Sequence, residues 1–422
     1  MKRVGRRIIG FCALVATLMF VSCTTTNEPM AKSKSAKEIL GNPAYRAISY
    51  GGYRGENREV QPTVEELKED LKIMSAMGIR MLRTYNLQLP HAPNVLKAIR
   101  ALKQEDPTFE MYVMLGAWMD CHNAWTDHEP DHNRESEENN TSEIQKAVRY
   151  ANEYPDIVKI IAVGNEAMVH WATSYFVHPS VILKYVNYLQ ELKRMGKLPA
   201  DLWITSSDNF ASWGGGEEAY HIRELEELIL AVDYVSMHTY PFHDTHYNSA
   251  FWESPADEAN GFSDHDRVLM AMQRAAFYAQ GQYESVKAYV HGIAPEKPIH
   301  IGETGWSSAS VGFYGNNGSF AADEYKQALY HDAMREWTDA EGISCFYFEA
   351  FDEQWKDQNH PEGSENHFGL ITLDGQAKYG LWDAVDQGAF EGLTRAGRPI
   401  TKTFEGDTTA LLQTVSAPKR RR

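Results

Sequence analysis

From residue 45 onward, short apolar runs bounded by glycine, proline or polar clusters alternate with longer stretches whose apolar residues fall at helical spacing. The short runs are rich in β-branched residues and have no polar face, which predicts strands covered on both sides by other elements. Eight strands are predicted, at Tyr45–Gly51, Ile79–Tyr85, Glu110–Trp118, Val158–Asn165, Leu202–Ser207, Tyr234–His238, Ile299–Glu303 and Ile343–Phe348. Strict alternation of strand and helix is the mark of βαβ units with a parallel sheet. Eight of them predict closure into a (β/α)8 TIM barrel, an α/β fold in one domain with long βα loops.

The helical stretches carry their own boundaries. Thr63-Val64-Glu65-Glu66 reads as a capping box that opens a helix ending near Met77-Gly78. Apolar spacing predicts another helix over Asp264–Val290, with Gly281 as a break, and a further one over Asp323–Trp337. Two segments exceed what a plain barrel needs: 120–141 after the third strand and 240–263 after the sixth. Both belong to the face built by the C-terminal strand ends, where they should wall a cleft. The first is strongly acidic between Asp127 and Glu138, and reads either as a solvated loop or as a lid closing one end of that cleft.

The ends differ from this pattern. Lys2, Arg3, Arg6 and Arg7 precede an apolar stretch from Ile8 to Val21, then Ser22-Cys23 and three threonines, which reads as a processing signal rather than as fold. A small residue before Cys23 resembles a bacterial lipobox and predicts lipidation of Cys23, hence an extracytoplasmic protein held to a membrane by a lipid anchor; Phe20 stands where leucine is usual, and plain secretion or a retained, uncleaved anchor are the alternatives. The expected organisation is a signal over 1–23, a linker over 24–40, the barrel over 41–390 and a loose tail over 391–422.

Two of the predicted strands end in a glutamate: Ile160-Ile161-Ala162-Val163-Gly164-Asn165-Glu166 and Pro298-Ile299-His300-Ile301-Gly302-Glu303-Thr304-Gly305-Trp306. A carboxyl group at the end of a buried strand is held rigidly on the barrel face where chemistry is done. Two such groups are what cleavage of a glycosidic bond requires, one to protonate the leaving oxygen and one to attack carbon or activate water. The net charge of −17 argues against a nucleic-acid surface. With aromatics at 12%, the chain has the flat side chains that stack on sugars. Apart from Cys12 and Cys23 the cysteines are Cys121 and Cys345, too few for a disulfide framework. His122, His128 and His132 near Cys121 match no zinc spacing, and no metal or organic cofactor is expected.

Further motifs complete a resemblance. Val163-Gly164-Asn165-Glu166, Gly302-Glu303-Thr304-Gly305-Trp306, Phe348-Glu349-Ala350-Phe351-Asp352-Glu353-Gln354-Trp355-Lys356 and Glu365-Asn366-His367-Phe368-Gly369-Leu370 occur in an order that resembles glycoside hydrolase family seventeen. That family contains retaining β-1,3-glucanases and glucanosyltransferases on a (β/α)8 barrel. The resemblance implies Glu166 as acid/base, Glu303 as nucleophile and Asn165 as the amide that binds the sugar 2-hydroxyl. It implies that Tyr240 donates to the nucleophile and that Arg83 and Tyr85 lie near the reacting sugar. Glu353, Lys356 and Glu365 match a charged cluster after strand eight, for which a structural ion-pair network is the plainer reading, and Trp306 and Trp355 are expected as sugar platforms. Trp118, Trp125, Trp171 and Trp213 read equally as subsite or core residues. His238 departs from the asparagine found in many relatives, and the acidic insertion has no counterpart among these motifs.

The expected partner is therefore a β-glucan polysaccharide or oligosaccharide of the laminarin type. A glucanosyltransferase would use the same residues, and a surface glucan-binding protein without turnover would have no need of the paired glutamates.

Overall fold

A computed structural model of the chain describes residues 33–421. The expected signal and Cys23 lie outside the described residues. Eight parallel strands close into a barrel: β1 (Arg46–Ser49), β2 (Ile79–Arg83), β3 (Tyr112–Ala117), β4 (Val158–Asn165), β5 (Trp203–Asn209), β6 (Val235–His238), β7 (Ile299–Gly305) and β8 (Cys345–Phe348). Each pairs with its neighbour in sequence, and β8 returns to β1 through Ala47 opposite Phe346 and Ile48 opposite Tyr347.

Alternation along the strands divides the core in two. Ala47, Met81, Met114, Ile160, Ala162 and Phe346 fill the barrel interior, while Ile48, Leu82, Val113, Leu115, Ile161 and Val163 meet the surrounding helices. Buried aliphatic side chains of this kind contribute about 1.5–3 kcal/mol each. This double burial is why the strands carry no polar face.

The barrel floor is closed by a short helix, Ala36–Ile39, with a reciprocal Ser35–Glu38 capping box. Ile39 and Leu40 are buried with the interior layer, so the segment expected as linker up to residue 40 contributes to the fold from Ser35. The Thr63–Glu66 capping box is present at the start of Val64–Ala76. The helix Asp264–Ile293 runs through Gly281 without a break. A mid-helix glycine costs only about 1 kcal/mol; the buried row Val268, Ala271, Ala275, Ala279, Val286 and Val290 outweighs it.

The expected loose tail is also corrected. Thr394–Arg395 pairs antiparallel with Arg398–Pro399, and Leu411 is buried within the helix Thr408–Gln413. Arg395 reaches the fully buried Asp70, with Nε 3.0 Å from Oδ1. Arg54 and the Tyr50 hydroxyl complete the shell of this carboxylate. The sequence after residue 390 has little periodicity because its contacts are made one residue at a time.

In the first insertion, Cys121–His122 pairs antiparallel with Asp131–Glu135. The second folds into the short helices Pro241–Tyr247 and Ala256–Gly261. Cys121 and Cys345 are both buried and unbridged.

Candidate active site

The C-terminal strand ends gather Arg83 from β2, Asn165 and Glu166 from β4, His238 from β6 and Glu303 from β7. Glu303 is 7% exposed and its two oxygens are surrounded by donors. Arg83 pairs with Oε2 and also donates to the Gly302 carbonyl at 3.0 Å. The Tyr85 hydroxyl donates to Oε2 at 3.2 Å, and the Tyr240 hydroxyl donates to Oε1 at 2.6 Å. Burial by itself raises this carboxyl; the Arg83 charge, followed by His238, the Tyr240 hydrogen bond and Lys356, outweighs it and holds Glu303 below the ordinary glutamate value. Burial drives the Tyr85 and Tyr240 hydroxyls well above their usual range, so both remain protonated donors.

The other carboxyl is placed by a distortion of β4. The β4–β5 register shifts between Ala162 and Asn165, Gly164 has φ +86° and Glu166 itself has φ +45°. A non-glycine residue in that region costs on the order of 1–3 kcal/mol. The Glu166 N–H nonetheless keeps a 3.0 Å bond to the Ser207 carbonyl, which anchors the turn. Arg83 also donates to Asn165 Oδ1, so a single guanidinium ties β4 to Glu303.

His238, buried on β6, completes the group. Its Nδ1 lies 3.1 Å from Glu166 Oε1 and its Nε2 lies 2.8 Å from the Ser207 hydroxyl. One ligand atom each from Glu166, His238 and Glu303 lies within 4.8 Å of the others. Such a trio has donors for a divalent cation, but the Arg83 guanidinium against Glu303 already supplies positive charge there. The arrangement favours a pair of carboxyl groups working on one bond.

The charged cluster after β8 is more buried than a sugar-contact reading anticipates. Glu353 is 1% exposed; its oxygens accept from the Tyr53 N–H at 3.0 Å and the Trp355 indole at 2.9 Å. Lys356 lies 2.6 Å from Glu349 and 3.3 Å from Glu353. Burial raises Glu349 well above its usual range; Lys356 opposes this, and the neighbouring Glu353 reinforces it. Glu353 thus holds the β1 loop and Trp355 in place through protein contacts. Trp355 lines the cleft, with the Arg58 guanidinium 4.2 Å from its ring centroid. Glu365 is half exposed and stands over the cleft.

Trp306 is not a platform. It is fully buried, donates to the Ala321 carbonyl at 2.8 Å and packs on Tyr330 and Trp252. Strand alternation explains this: Glu303 faces inward, so Thr304 and Trp306 face the helix layer, where Thr304 meets the Tyr330 hydroxyl at 2.7 Å. Trp213 is likewise core, bonded to the Ser236 carbonyl.

Two cavities adjoin at the carboxylates, sharing Glu303, Phe348 and Glu365. One, of about 830 Å³, includes Glu166, Trp171, Tyr240 and Tyr314. The other, of about 560 Å³, includes Tyr85, Asn165, Trp118, Trp125 and Trp355. Tyr314 and Asp208 are among the residues that sequence reasoning did not single out. Asp208 is buried, its carboxyl raised by that burial to about 6, and it accepts the Met168 N–H at 2.8 Å, fixing the turn after Glu166. A carboxyl residue immediately after the fifth predicted strand was the one available signal for it.

Comparison with known proteins agrees with this geometry. The model of the BtgE/BtgC glycoside hydrolase domain matches residues 47–369. The crystal structure of an endo-laminarinase from Formosa Hel1_33_131 is similar at 61% identity and a TM-score of 0.91, covering 92% of this chain and 98% of that one. A glucan 1,3-beta-glucosidase of Arthroderma benhamiae is 27% identical over 275 residues, 63% of this chain and 70% of that protein. A probable glucan endo-1,3-beta-glucosidase btgC of Aspergillus flavus is 24% identical over 380 residues; these cover 85% of this chain but 47% of that longer protein. With its barrel, its strand-end glutamates and this match over most of its length, the chain belongs to the BtgE/BtgC glycoside hydrolase domain family, in keeping with its resemblance to glycoside hydrolase family seventeen.

Proposed function

We propose that this chain hydrolyses β-1,3-glucosidic bonds within laminarin-like β-glucans, with retention of configuration. The observation that carries the mechanism is the approach of Glu166 and Glu303 oxygens to within 4.8 Å. Retaining enzymes hold their carboxyl groups about 5–5.5 Å apart, whereas inverting ones leave room for a water between them. Glu303, kept ionised by Arg83, Tyr85 and Tyr240, attacks the anomeric carbon while Glu166 protonates the departing oxygen. A covalent glycosyl-enzyme results. Glu166 then takes a proton from water, which attacks the same carbon and releases Glu303.

The two cavities fit this assignment. Glu166 opens onto the larger one, so the leaving part of the chain lies there. Asn165 opens onto the smaller one; because Arg83 takes its carbonyl oxygen, its N–H groups are left for the hydroxyl of the sugar that becomes attached. Space on both sides of the carboxylates supports cleavage within a chain, as does the likeness to an endo-laminarinase. Export and attachment through a lipid on Cys23 form part of this proposal, supported by the sequence around that residue.

The test is a time course of products from a linear β-1,3-glucan oligosaccharide, using residues 24–422 and the Glu303→Gln variant, with mass spectrometry and NMR of the first anomer formed. Mixed shorter β-anomeric products that disappear with the variant are expected. Stepwise glucose release would replace endo by exo action, products longer than the substrate would establish transfer, and an initial α-anomer would refute retention. Absence of product from the unsubstituted chain would refute β-1,3-glucan hydrolysis.

A further inference from the structure

The acidic insertion after β3 aims an aromatic ring at the cleft. Trp125 is 61% exposed, yet its indole is fixed on two sides. Its N–H donates to Asp120 Oδ1 at 2.9 Å, and the same oxygen accepts the Trp118 indole N–H at 2.7 Å. One face of the Trp125 ring stacks on Tyr175, with centroids 4.9 Å apart and planes 19° apart. Both tryptophans line the cavity that contains Asn165, Glu303 and Trp355.

The support beneath them is built rather than loose. Asp120 is 3% exposed, and its backbone is held by reciprocal 2.9 Å bonds with the Asn140 amide and by the Ser136 N–H. The hairpin is tied to the loop after β4: the Cys121 N–H donates to the Tyr175 carbonyl, the His178 N–H to the His132 carbonyl, and the His132 ring stacks on Phe176. Trp125 adopts φ +62° and Asn123 φ +63°. A bulky residue in the left-handed region is a rare and costly conformation. The fold gains little from burying an indole left mostly in water, so the buried carboxylate, the strained turn and the stacking partner together serve its orientation.

We propose that Trp125, oriented by Asp120 and Tyr175, is a sugar-stacking platform in a distal subsite on the Asn165 side of the cleft, and that it sets a preference for longer β-1,3-glucan chains. The inference rests on the reading of this cleft as a β-1,3-glucan site. A sugar ring presents a flat face of C–H groups that covers an indole, and a ring already fixed in place loses little side-chain entropy on binding. The insertion then extends the binding path instead of acting as a lid.

The test compares kcat/KM on laminaritetraose and laminariheptaose for the wild-type chain, Trp125→Ala and Trp125→Tyr. Loss of one stacking site corresponds to about tenfold in affinity. The heptaose-to-tetraose ratio is therefore expected to fall about tenfold in Trp125→Ala. Because tyrosine keeps a stackable ring, its ratio should stay within about threefold of wild type. An unmoved ratio in Trp125→Ala, including an equal loss at both lengths, overturns the platform. A rise identifies the indole as a barrier and also overturns it, as does a Trp125→Tyr ratio as low as that of Trp125→Ala. If the wild-type chain cleaves neither oligosaccharide, the β-1,3-glucan reading falls and the platform with it; a wild-type chain that cleaves both while the ratio stays constant removes only the platform.

Discussion

Tyr240→Phe isolates one of the three donors proposed to keep the nucleophile ionised. The substitution removes a hydroxyl 2.6 Å from Glu303 Oε1 and leaves the ring in place against Phe348 and Phe368. A hydrogen bond to a charged group contributes about 1.5–3 kcal/mol, and one pKa unit corresponds to about 1.4 kcal/mol. Arg83 and Tyr85 remain, so the lower end applies and Glu303 should rise by about one unit. The acid limb of kcat/KM reports the free enzyme; in the wild type it should lie below the ordinary glutamate value of about 4.3, and in the variant it should move up by about one unit. The assay is initial rate against pH on a linear laminarioligosaccharide at substrate concentrations well below KM. Stability should follow with a definite sign. A carboxyl whose folded pKa is depressed adds stability above its unfolded pKa of about 4.3 and loses that contribution as pH falls through the folded value. The gap in urea midpoint between wild type and Tyr240→Phe should thus be widest near neutrality and close in acid. Superimposable acid limbs would refute the argument that Tyr240 tunes Glu303.

Other substitutions probe separate parts of the structure. Glu166→Gln keeps the shape of the proposed acid/base but cannot cycle a proton, so kcat should fall by about 10²–10⁴-fold, measured as product release per enzyme. His238→Ala removes the partner 3.1 Å from Glu166, and a loss of about tenfold in kcat with little change in KM is expected, because the contact positions a reacting group. Arg395→Ala leaves the buried Asp70 with only Arg54 as a cation. Removing one partner of a buried pair costs about 3–5 kcal/mol, and the retained Arg54 points to about 3, read as a lower urea midpoint. An unchanged midpoint would mean that the Arg395–Asp70 pair adds nothing to the fold. Cys23→Ser should abolish incorporation of radiolabelled palmitate in cells and release the protein from membranes.

The barrel and its carboxylate pair were legible because both depend on regular periods. Eight buried strands separated by helices leave few topologies, and a strand-terminal position in such a barrel already specifies the face on which Glu166 and Glu303 stand. Arg83, Tyr85, Asn165 and Tyr240 also stand at or just beyond strand ends, but only the family resemblance singled them out. The C-terminal segment and the 121–135 hairpin were not legible, since Arg395 on Asp70 and Trp125 on Asp120 are pairings between distant or aperiodic positions. Gly281 misled because intrinsic helix preference is weaker than the burial of a long apolar face.

The tryptophans show where local pattern stops and tertiary placement begins. Trp306 follows Glu303 by three residues, and strict alternation from an inward Glu303 sends it outward, so its burial followed from the strand that carries Glu303. Its neighbourhood to a catalytic motif was a poor guide to contact with sugar. Trp125 has no strand to fix its direction; the Asp120 carboxylate and the Tyr175 ring do so instead, through contacts that exist only after the hairpin has docked on the loop following β4. A strand can therefore position the proposed bond-breaking groups without help from any loop, while the proposed reach of the cleft along a glucan depends on side chains oriented by contacts between loops.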